Sequence, residues 1–205
     1  MTKTTKPGET MRVLGIYTSP RKDGNSDILM KELLRGASET GADTAELFAR
    51  KLKLGPCLGC DRCIELGHCF QKDDYHQVVE ELDKADAIAL ATPVHFYTVS
   101  TQAMILIGRV QSQWNQKYVN QKPEYKDRAR RPGALIAVGA TKGKTLFDGL
   151  RMTAKYYFDA INVDLDHELL IRSVDHKGAI KDHPDLLKQA YGMGVLLAGG
   201  KQNQD

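Results

Sequence analysis

The sequence predicts an α/β protein whose parallel β-sheet is covered by helices on both faces. Five short apolar runs alternate along the chain with five segments of helical period. The run at residues 85–93 is apolar except for Asp86 and is closed by Thr92-Pro93, as expected of a strand buried on both faces. A chain of 205 residues is also long enough to bury one substantial core. We therefore expect a single domain over residues 11–200, preceded by a flexible tail of residues 1–10.

The first three elements form a strand, a helix and a strand. The apolar run MRVLGIY at residues 11–17 predicts a buried first strand. From Ser26 the apolar residues recur at helical spacing, and Gly41 follows where a helix C-cap is expected. The run TAELFA at residues 44–49 predicts the second strand.

The middle of the chain begins with an irregular insertion over residues 50–73, which contains every cysteine. Residues 74–84 have helical period, with Asp73 or Asp74 as the N-cap. The buried strand at residues 85–93 comes next, followed by a helix over residues 100–113. The polar segment over residues 114–131 predicts a loop or a poorly ordered excursion.

The last part of the chain completes the pattern. It predicts a buried strand at residues 133–141, a helix at 146–160, an edge strand at 162–171 and a final helix at 184–197. Ligands of such sheets bind outside the carboxyl ends of the strands. Three loops therefore share one rim: TSPRKDGNS at 18–26, TPVHFYTVS at 92–100 and GATKGKT at 139–145.

The first of these loops is rich in hydrogen-bond donors where a helix begins. Backbone N–H groups and the helix dipole favour a phosphate there, and Ser19, Arg21, Asn25 and Ser26 add side-chain donors or charge. The alternative is a solvated turn in which Asn25 or Ser26 only caps the helix. The loop contains neither of the two common glycine-rich nucleotide motifs.

The other two loops suit the ring of a flavin. In residues 92–100 a proline and two aromatic residues can present backbone polar groups to a flat ring, although a plain hydrophobic loop is the alternative. Residues 139–145 resemble an NTPase phosphate loop, but only three residues separate Gly139 from Gly143 where four are required. One phosphate cradle and two ring-edge loops together favour FMN over a dinucleotide.

All four cysteines lie in CLGCDRCIELGHC at residues 57–69, with the spacing C-x2-C-x2-C-x5-C. Tight spacing of this kind is typical of iron–sulfur ligation. A four-thiolate zinc site, a redox pair and reduced free thiols are the alternatives. The polar N-terminus and the lack of a long apolar run predict a cytoplasmic protein without membrane segments, where disulfides are not expected. The net charge of +3 gives no case for nucleic-acid binding.

The segments TSPRKDGNS, PCLGCDRCIELGHCFQKDD and ATPVHFYTVSTQAMILIGRV together resemble the flavodoxin-like NADPH-dependent FMN reductase family, and especially its iron–sulfur flavoprotein branch. The resemblance implies a five-stranded sheet of order 2-1-3-4-5 with the cysteine-rich insertion after strand 2. It also implies homodimers or homotetramers. The FMN-binding residues that it implies are Ser19, Arg21, Asn25, Ser26, Pro93, Val94, His95, Phe96, Tyr97, Gly139, Ala140 and Thr141.

By the same resemblance, Cys57, Cys60, Cys63 and Cys69 are the ligands of a [4Fe-4S] cluster near the flavin. The expected function is an FMN-dependent oxidoreductase that passes electrons between this cluster and FMN, with NAD(P)H or ferredoxin as the donor. No catalytic side chain is expected, because the flavin supplies the chemistry. One alternative is an NAD(P)H-dependent FMN or quinone reductase without a cluster. The other is a zinc- or thiol-stabilised binding module on the same scaffold.

Overall fold

A computed structural model describes residues 10–200 of the chain. Residues 1–9, which belong to the expected N-terminal tail, lie outside the described residues. The five strands are all parallel and have the order β2-β1-β3-β4-β5, which confirms the predicted fold. Their bounds are β1 Arg12–Tyr17, β2 Asp43–Phe48, β3 Ala87–Pro93, β4 Arg131–Val138 and β5 Val163–Ile171.

Helices cover both faces of this sheet. Their bounds are α1 Asn25–Glu39, α2 Arg62–Leu66, α3 Tyr75–Lys84, α4 Thr101–Arg109, α5 Gln111–Trp114, α6 Pro123–Lys126, α7 Asp148–Ala160 and α8 Pro184–Leu197. Successive side chains of a strand point to opposite faces. Accordingly Val13 and Tyr17 of β1 pack in the core beneath α1 and α8, while Leu14 and Ile16 pack in the core beneath α3, α4 and α7.

Helices α1 and α8 approach each other closely at two glycines. A Cβ atom placed on Gly194 would lie 1.8 Å from the carbonyl oxygen of Leu33, and one on Gly36 would lie 2.1 Å from that of Tyr191. No side chain fits at either position without moving a backbone. The two glycines therefore fix how α8 lies on α1, the helix whose N-terminus faces the expected ligand rim.

The loop expected over residues 114–131 is largely helical instead. A π-helical turn at Asn115–Val119 follows α5, and α6 comes after it. Asn115, Gln116 and Lys117 are buried although they are polar, and their side chains bond to backbone or side-chain atoms elsewhere in the chain. Apolar periodicity cannot reveal a segment whose buried face is polar, and the sequence prediction was wrong for this reason.

The cysteine-rich insertion after β2 has little regular structure. A 3₁₀ turn at Ala49–Lys51 leads into an irregular stretch, and the short helix α2 contains Cys63. Gly59, Asp61 and Gly67 have left-handed backbone conformations, with φ of 60°, 57° and 80°. These turns fold the cysteine segment back on itself. Within residues 10–200, none of the helices is both long and apolar enough to cross a membrane.

Candidate functional site

A cavity of about 340 Å³ opens at the carboxyl ends of the strands, where the sequence predicts the ligand site. This volume lies within the range of pockets that bind small molecules and cofactors. Eight of the twelve residues expected to bind the cofactor line it: Ser19, Arg21, Asn25, Ser26, Pro93, Val94, His95 and Ala140. The remaining four, Phe96, Tyr97, Gly139 and Thr141, are not among the lining residues.

One end of the cavity is formed by the loop between β1 and α1. Gly24 occupies the N-cap position of α1, which runs for 15 residues. Its place is tight, because an added Cβ would lie 3.1 Å from Ser19 Oγ and 3.3 Å from the carbonyl oxygen of Arg21. Ser19 Oγ also accepts a hydrogen bond from the backbone N–H of Arg21 at 3.1 Å. The loop is thus fixed in shape beside the first N–H groups of the helix, which is an arrangement suited to an anion.

The predicted polar residues of this loop have different surroundings. Asn25 already uses both ends of its side-chain amide: Nδ2 donates to the carbonyl oxygen of His176 at 2.9 Å, and Oδ1 accepts from the N–H of Ile180 at 3.3 Å. It therefore ties the start of α1 to the segment after β5. Ser26 is buried against the cavity, while Arg21 is exposed at the cavity mouth.

A buried ion pair lies beneath the loop. Asp27 Oδ2 is 2.9 Å from Arg50 Nη1 and accepts the backbone N–H of Asp23 at 3.2 Å. Burial raises the pKa of the Asp27 carboxyl, and the Arg50 guanidinium opposes that rise. Arg50 also donates to the carbonyl oxygen of Ser19 at 3.3 Å. This pair joins α1, the loop and the end of β2 into one support.

The loop after β3 contributes its first residues to the cavity and turns its aromatic residues away. His95 and Thr98 form a tight two-residue turn with reciprocal backbone hydrogen bonds of 3.0 Å. Phe96 and Tyr97 are the two central residues, with left-handed φ angles of 47° and 61°. Such angles are unfavourable for large side chains. Phe96 is completely exposed, and Tyr97 packs beside Gly143.

The loop after β4 is fixed by contacts with its neighbours. Gly139 is tightly packed, since an added Cβ would lie 2.8 Å from Leu146 Cδ2 and 3.3 Å from Val94 Cγ2. Arg172 donates hydrogen bonds of 3.2 Å to the carbonyl oxygens of Gly143 and Lys144. The loop therefore has a defined shape, with the exposed Ala140 at the cavity.

Sequence reasoning missed a fourth loop of the rim. Val174, Asp175 and Lys177, which follow β5, line the cavity beside the start of α1. Because β5 is parallel to the other strands, its carboxyl end lies on the same rim. The predicted fifth strand could therefore have indicated that the loop after it also lines the ligand site. Lys177 and Arg21 are two cations near the helix N-terminus, and Asp175 opposes them in part.

The four cysteines line a second, small cavity together with residues of α4 and α5. Cys57 and Cys60 are exposed, and Cys63 and Cys69 are partly buried. All four are free thiols in this structure. Among residues 10–200, no group of three or more His, Cys, Asp or Glu side chains is arranged to hold a single metal ion.

Two buried side chains donate hydrogen bonds to cysteine sulfurs in this second cavity. Arg109 Nη2 lies 3.2 Å from Cys69 Sγ, and Asn115 Nδ2 lies 3.1 Å from Cys63 Sγ. Asp73, expected as a helix cap, accepts the N–H of Tyr75 at 3.2 Å and also pairs with Arg109. Burial would raise the pKa of the Asp73 carboxyl, but its hydrogen bonds to Arg109 and backbone N–H groups lower it overall.

The two cavities lie at opposite ends of α4 and have no lining residue in common. At the first end, Ser100 caps the helix and its hydroxyl donates to the carbonyl oxygen of Thr18, next to the β1–α1 loop. At the other end, an added Cβ on Gly108 would lie 3.8 Å from Cys57 Cβ. A helix of nine residues is about 14 Å long, so the cysteine loop is about one helix length away from the rim cavity.

Solved structures with the same fold include two reductases. The chain matches the structure of an NAD(P)H:quinone oxidoreductase from Methanothermobacter marburgensis with a TM-score of 0.71 at 15% identity, covering 96% of this chain and 100% of that one. It matches the structure of a flavone reductase with a TM-score of 0.69 at 16% identity, covering 92% of this chain and 62% of that one. At such low identity these matches establish the common fold.

Similar sequences bear the name iron–sulfur flavoprotein. One from Methanocaldococcus jannaschii is 38% identical over 99 residues, which are 48% of this chain and 51% of that protein. Another from Methanosarcina thermophila is 31% identical over 99 residues, which are 48% of this chain and 52% of that protein. The matched region is thus about half the length of each relative. The family model for NADPH-dependent FMN reductase matches residues 11–164, about three quarters of the chain, and the chain therefore belongs to this family.

Proposed function

We propose that the protein is an FMN-dependent oxidoreductase that also holds a [4Fe-4S] cluster and passes electrons between the two groups. The observation that carries this proposal is the rim cavity, which combines the N-terminus of α1 with residues from the loops after β1, β3, β4 and β5. Family membership and the names of the similar sequences agree with it.

The residues of the rim cavity fit FMN. The tight Gly24 turn leaves the first N–H groups of α1 available to a phosphate, with Ser19 and Ser26 buried beside it. Arg21 and Lys177 supply positive charge at the same end. Pro93, Val94 and His95 would then lie along the ring, with Ala140 at its other polar edge.

The residues of the second cavity fit an iron–sulfur cluster. Thiolates are the ligands of such clusters, and four cysteines surround this one cavity. In a [4Fe-4S] cluster each of the four cysteines binds a different iron atom, so the cysteine sulfurs need not converge on one point. A zinc site, in contrast, brings its four sulfurs to within about 4 Å of one another around one ion. Two buried N–H donors aimed at Cys63 and Cys69 also suit negatively charged sulfur. Cys57, Cys60, Cys63 and Cys69 would hold the group.

The chain's own contribution to the reaction is binding, orientation and electrostatics. When bound, FMN supplies one- and two-electron chemistry and the cluster supplies one-electron chemistry. The α1 loop would fix the phosphate end, and the stiff loop held by Arg172 would fix the ring edge. Helix α4 would lie between the residues that hold the two groups, with Ser100 at the end beside the β1–α1 loop and Arg109 at the end beside the cysteines.

We also propose that NAD(P)H or ferredoxin supplies the electrons and that the chain forms homodimers or homotetramers. Two pairs of aromatic side chains are exposed, one in the turn after β3 and one, with ring centroids 5.4 Å apart, around the start of the π-helical turn, and an interface between subunits would cover them. Phe96, Tyr97, Trp114 and Tyr118 are the exposed aromatic residues concerned. Light scattering coupled to gel filtration gives the oligomeric state. A purely monomeric holoprotein would contradict the proposed homodimer or homotetramer.

The test measures the binding of FMN and of the cluster independently. The wild type and a Cys63→Ser, Cys69→Ser double variant are purified without oxygen and passed through gel filtration. We expect FMN to remain with both proteins, and iron with acid-labile sulfide to remain only with the wild type. Wild-type protein with FMN but no iron would instead support the flavin or quinone reductase without a cluster. Colourless protein with stoichiometric zinc would support the binding module.

A further inference from the structure

The side chain of Arg109 is fully enclosed at the C-terminal end of α4. Nη1 donates to the carbonyl oxygen of Gly55 at 3.0 Å, and Nη2 donates to Asp73 Oδ1 at 3.0 Å and to Cys69 Sγ at 3.2 Å. The guanidinium also lies over the ring of Tyr75, 4.6 Å from its centroid. A buried guanidinium in this setting is held rigidly, and it brings a positive charge to the sulfur of Cys69.

Asn115 is equally enclosed and begins the π-helical turn. Its Nδ2 donates to Cys63 Sγ at 3.1 Å, and its Oδ1 accepts from Gln111 Nε2 at 3.3 Å, which fixes the orientation of the amide. The same turn holds the backbone of the cysteine segment, since Gln116 donates to the carbonyl oxygen of Cys63 and Asn120 to that of Ile64, both at 2.7 Å. π-helical turns are rare and are frequently found at functional sites.

These contacts divide the four cysteines into two pairs. Cys63 and Cys69 face the protein and receive N–H bonds from buried side chains. Cys57 and Cys60 are exposed to solvent. Hydrogen bonds to the sulfurs and nearby charge are among the factors that set the reduction potential of a cluster.

We propose that Arg109 and Asn115 are positioning residues that raise the reduction potential of the cluster through their N–H bonds to Cys69 and Cys63. This inference rests on the proposed cluster. Reduction adds one negative charge to the cluster, and N–H donors and a guanidinium stabilise the more negative state. Removal of either donor therefore lowers the potential, while the FMN cavity at the other end of α4 is unaffected.

The test compares Asn115→Leu with Asn120→Leu in cluster-loaded protein. The two residues have the same side chain and belong to the same turn region, but Asn120 donates to a backbone carbonyl rather than to sulfur. The potential is measured by spectroelectrochemical titration. For Asn115→Leu we expect about a tenfold change in the one-electron equilibrium towards the oxidised form, which corresponds to a potential about 59 mV lower. For Asn120→Leu we expect an unchanged potential.

A second pair of variants tests whether the positive charge of Arg109 raises the potential of the cluster. Arg109→Met is expected to lower the potential at least as much as Asn115→Leu, and Arg109→Lys is expected to restore most of it. If Arg109→Met does not fold, the comparison between Asn115→Leu and Asn120→Leu decides alone. Equal potentials in those two variants would overturn the inference, whereas wild-type protein that binds no iron would overturn the proposed cluster itself.

Discussion

The proposed position of the FMN phosphate is tested by removing two side chains from that end of the rim cavity. In the double variant Arg21→Ala, Ser26→Ala the backbone N–H groups of α1 and the Gly24 turn stay in place. Only one exposed charge and one buried hydroxyl are lost. A change in FMN affinity then reports on these two groups and not on the helix.

The expected loss of FMN binding free energy depends on how exposed the Ser26 and Arg21 side chains are. Ser26 is 2% exposed, and a hydrogen bond from such a hydroxyl to a charged group contributes about 1.5–3 kcal/mol. Arg21 is exposed, and an ion pair in contact with water contributes up to about 1 kcal/mol. The two together predict a loss of about 1.5–4 kcal/mol, or roughly one to three orders of magnitude in the dissociation constant.

The assay is the quenching of FMN fluorescence on titration of apoprotein. A matched control, Arg35→Ala with Ser38→Ala, changes the same residue types on the opposite end of α1, away from the cavity. We expect the control to bind FMN as the wild type does. We also expect the Arg21 contribution to decrease as salt is raised, since exposed charges are screened. Equal FMN affinity in the double variant and the control would refute the assigned position of the phosphate.

Three further predictions concern stability. Gly194→Ala should lower the free energy of unfolding by about 3 kcal/mol in urea titration, because its Cβ would collide with the carbonyl oxygen of Leu33; a change below about 1 kcal/mol would show that α8 can shift. Phe96→Asn should raise that free energy by about 1 kcal/mol, because asparagine tolerates the left-handed conformation and the exposed ring is not packed; a decrease would mean that the ring contributes to the fold. The lowered pKa of Asp73 stabilises the fold above its unfolded-state value of 3.8, and this contribution is lost as the pH falls through the lower folded-state pKa. Wild-type stability measured by urea titration should therefore fall more steeply below about pH 4 than that of Asp73→Asn, and parallel curves would contradict the pairing with Arg109.

The fold could be predicted because strands buried on both faces of a parallel sheet are continuous apolar runs in the sequence. The first, third and fourth strands contain apolar runs, and the predicted bounds of all five strands differ from the observed ones by only a few residues. The loop before α1 was predictable for the same reason, because it lies between a clear strand and a clear helix.

The parts that were not predictable depend on contacts between distant residues. Arg109 looks like the polar end of an amphipathic helix, and only the fold brings it to Asp73 and Cys69, which are 36 and 40 residues away in the chain. Asn115 reaches Cys63 across 52 residues through a π-helical turn that has no periodic signal. The direction of Phe96 was equally hidden, because a tight turn with two left-handed residues rotates it away from the cavity.

The most direct test of the proposed function is the number of electrons that the anaerobically purified protein accepts in a reductive titration followed by visible absorption. FMN accepts two electrons and a [4Fe-4S] cluster accepts one, so we expect about three electrons per chain, with bleaching of both the flavin band and the broad cluster absorbance. A value of about two, with only the flavin band bleached, would contradict the cluster. A protein that accepts no electrons would contradict the proposed function as a whole.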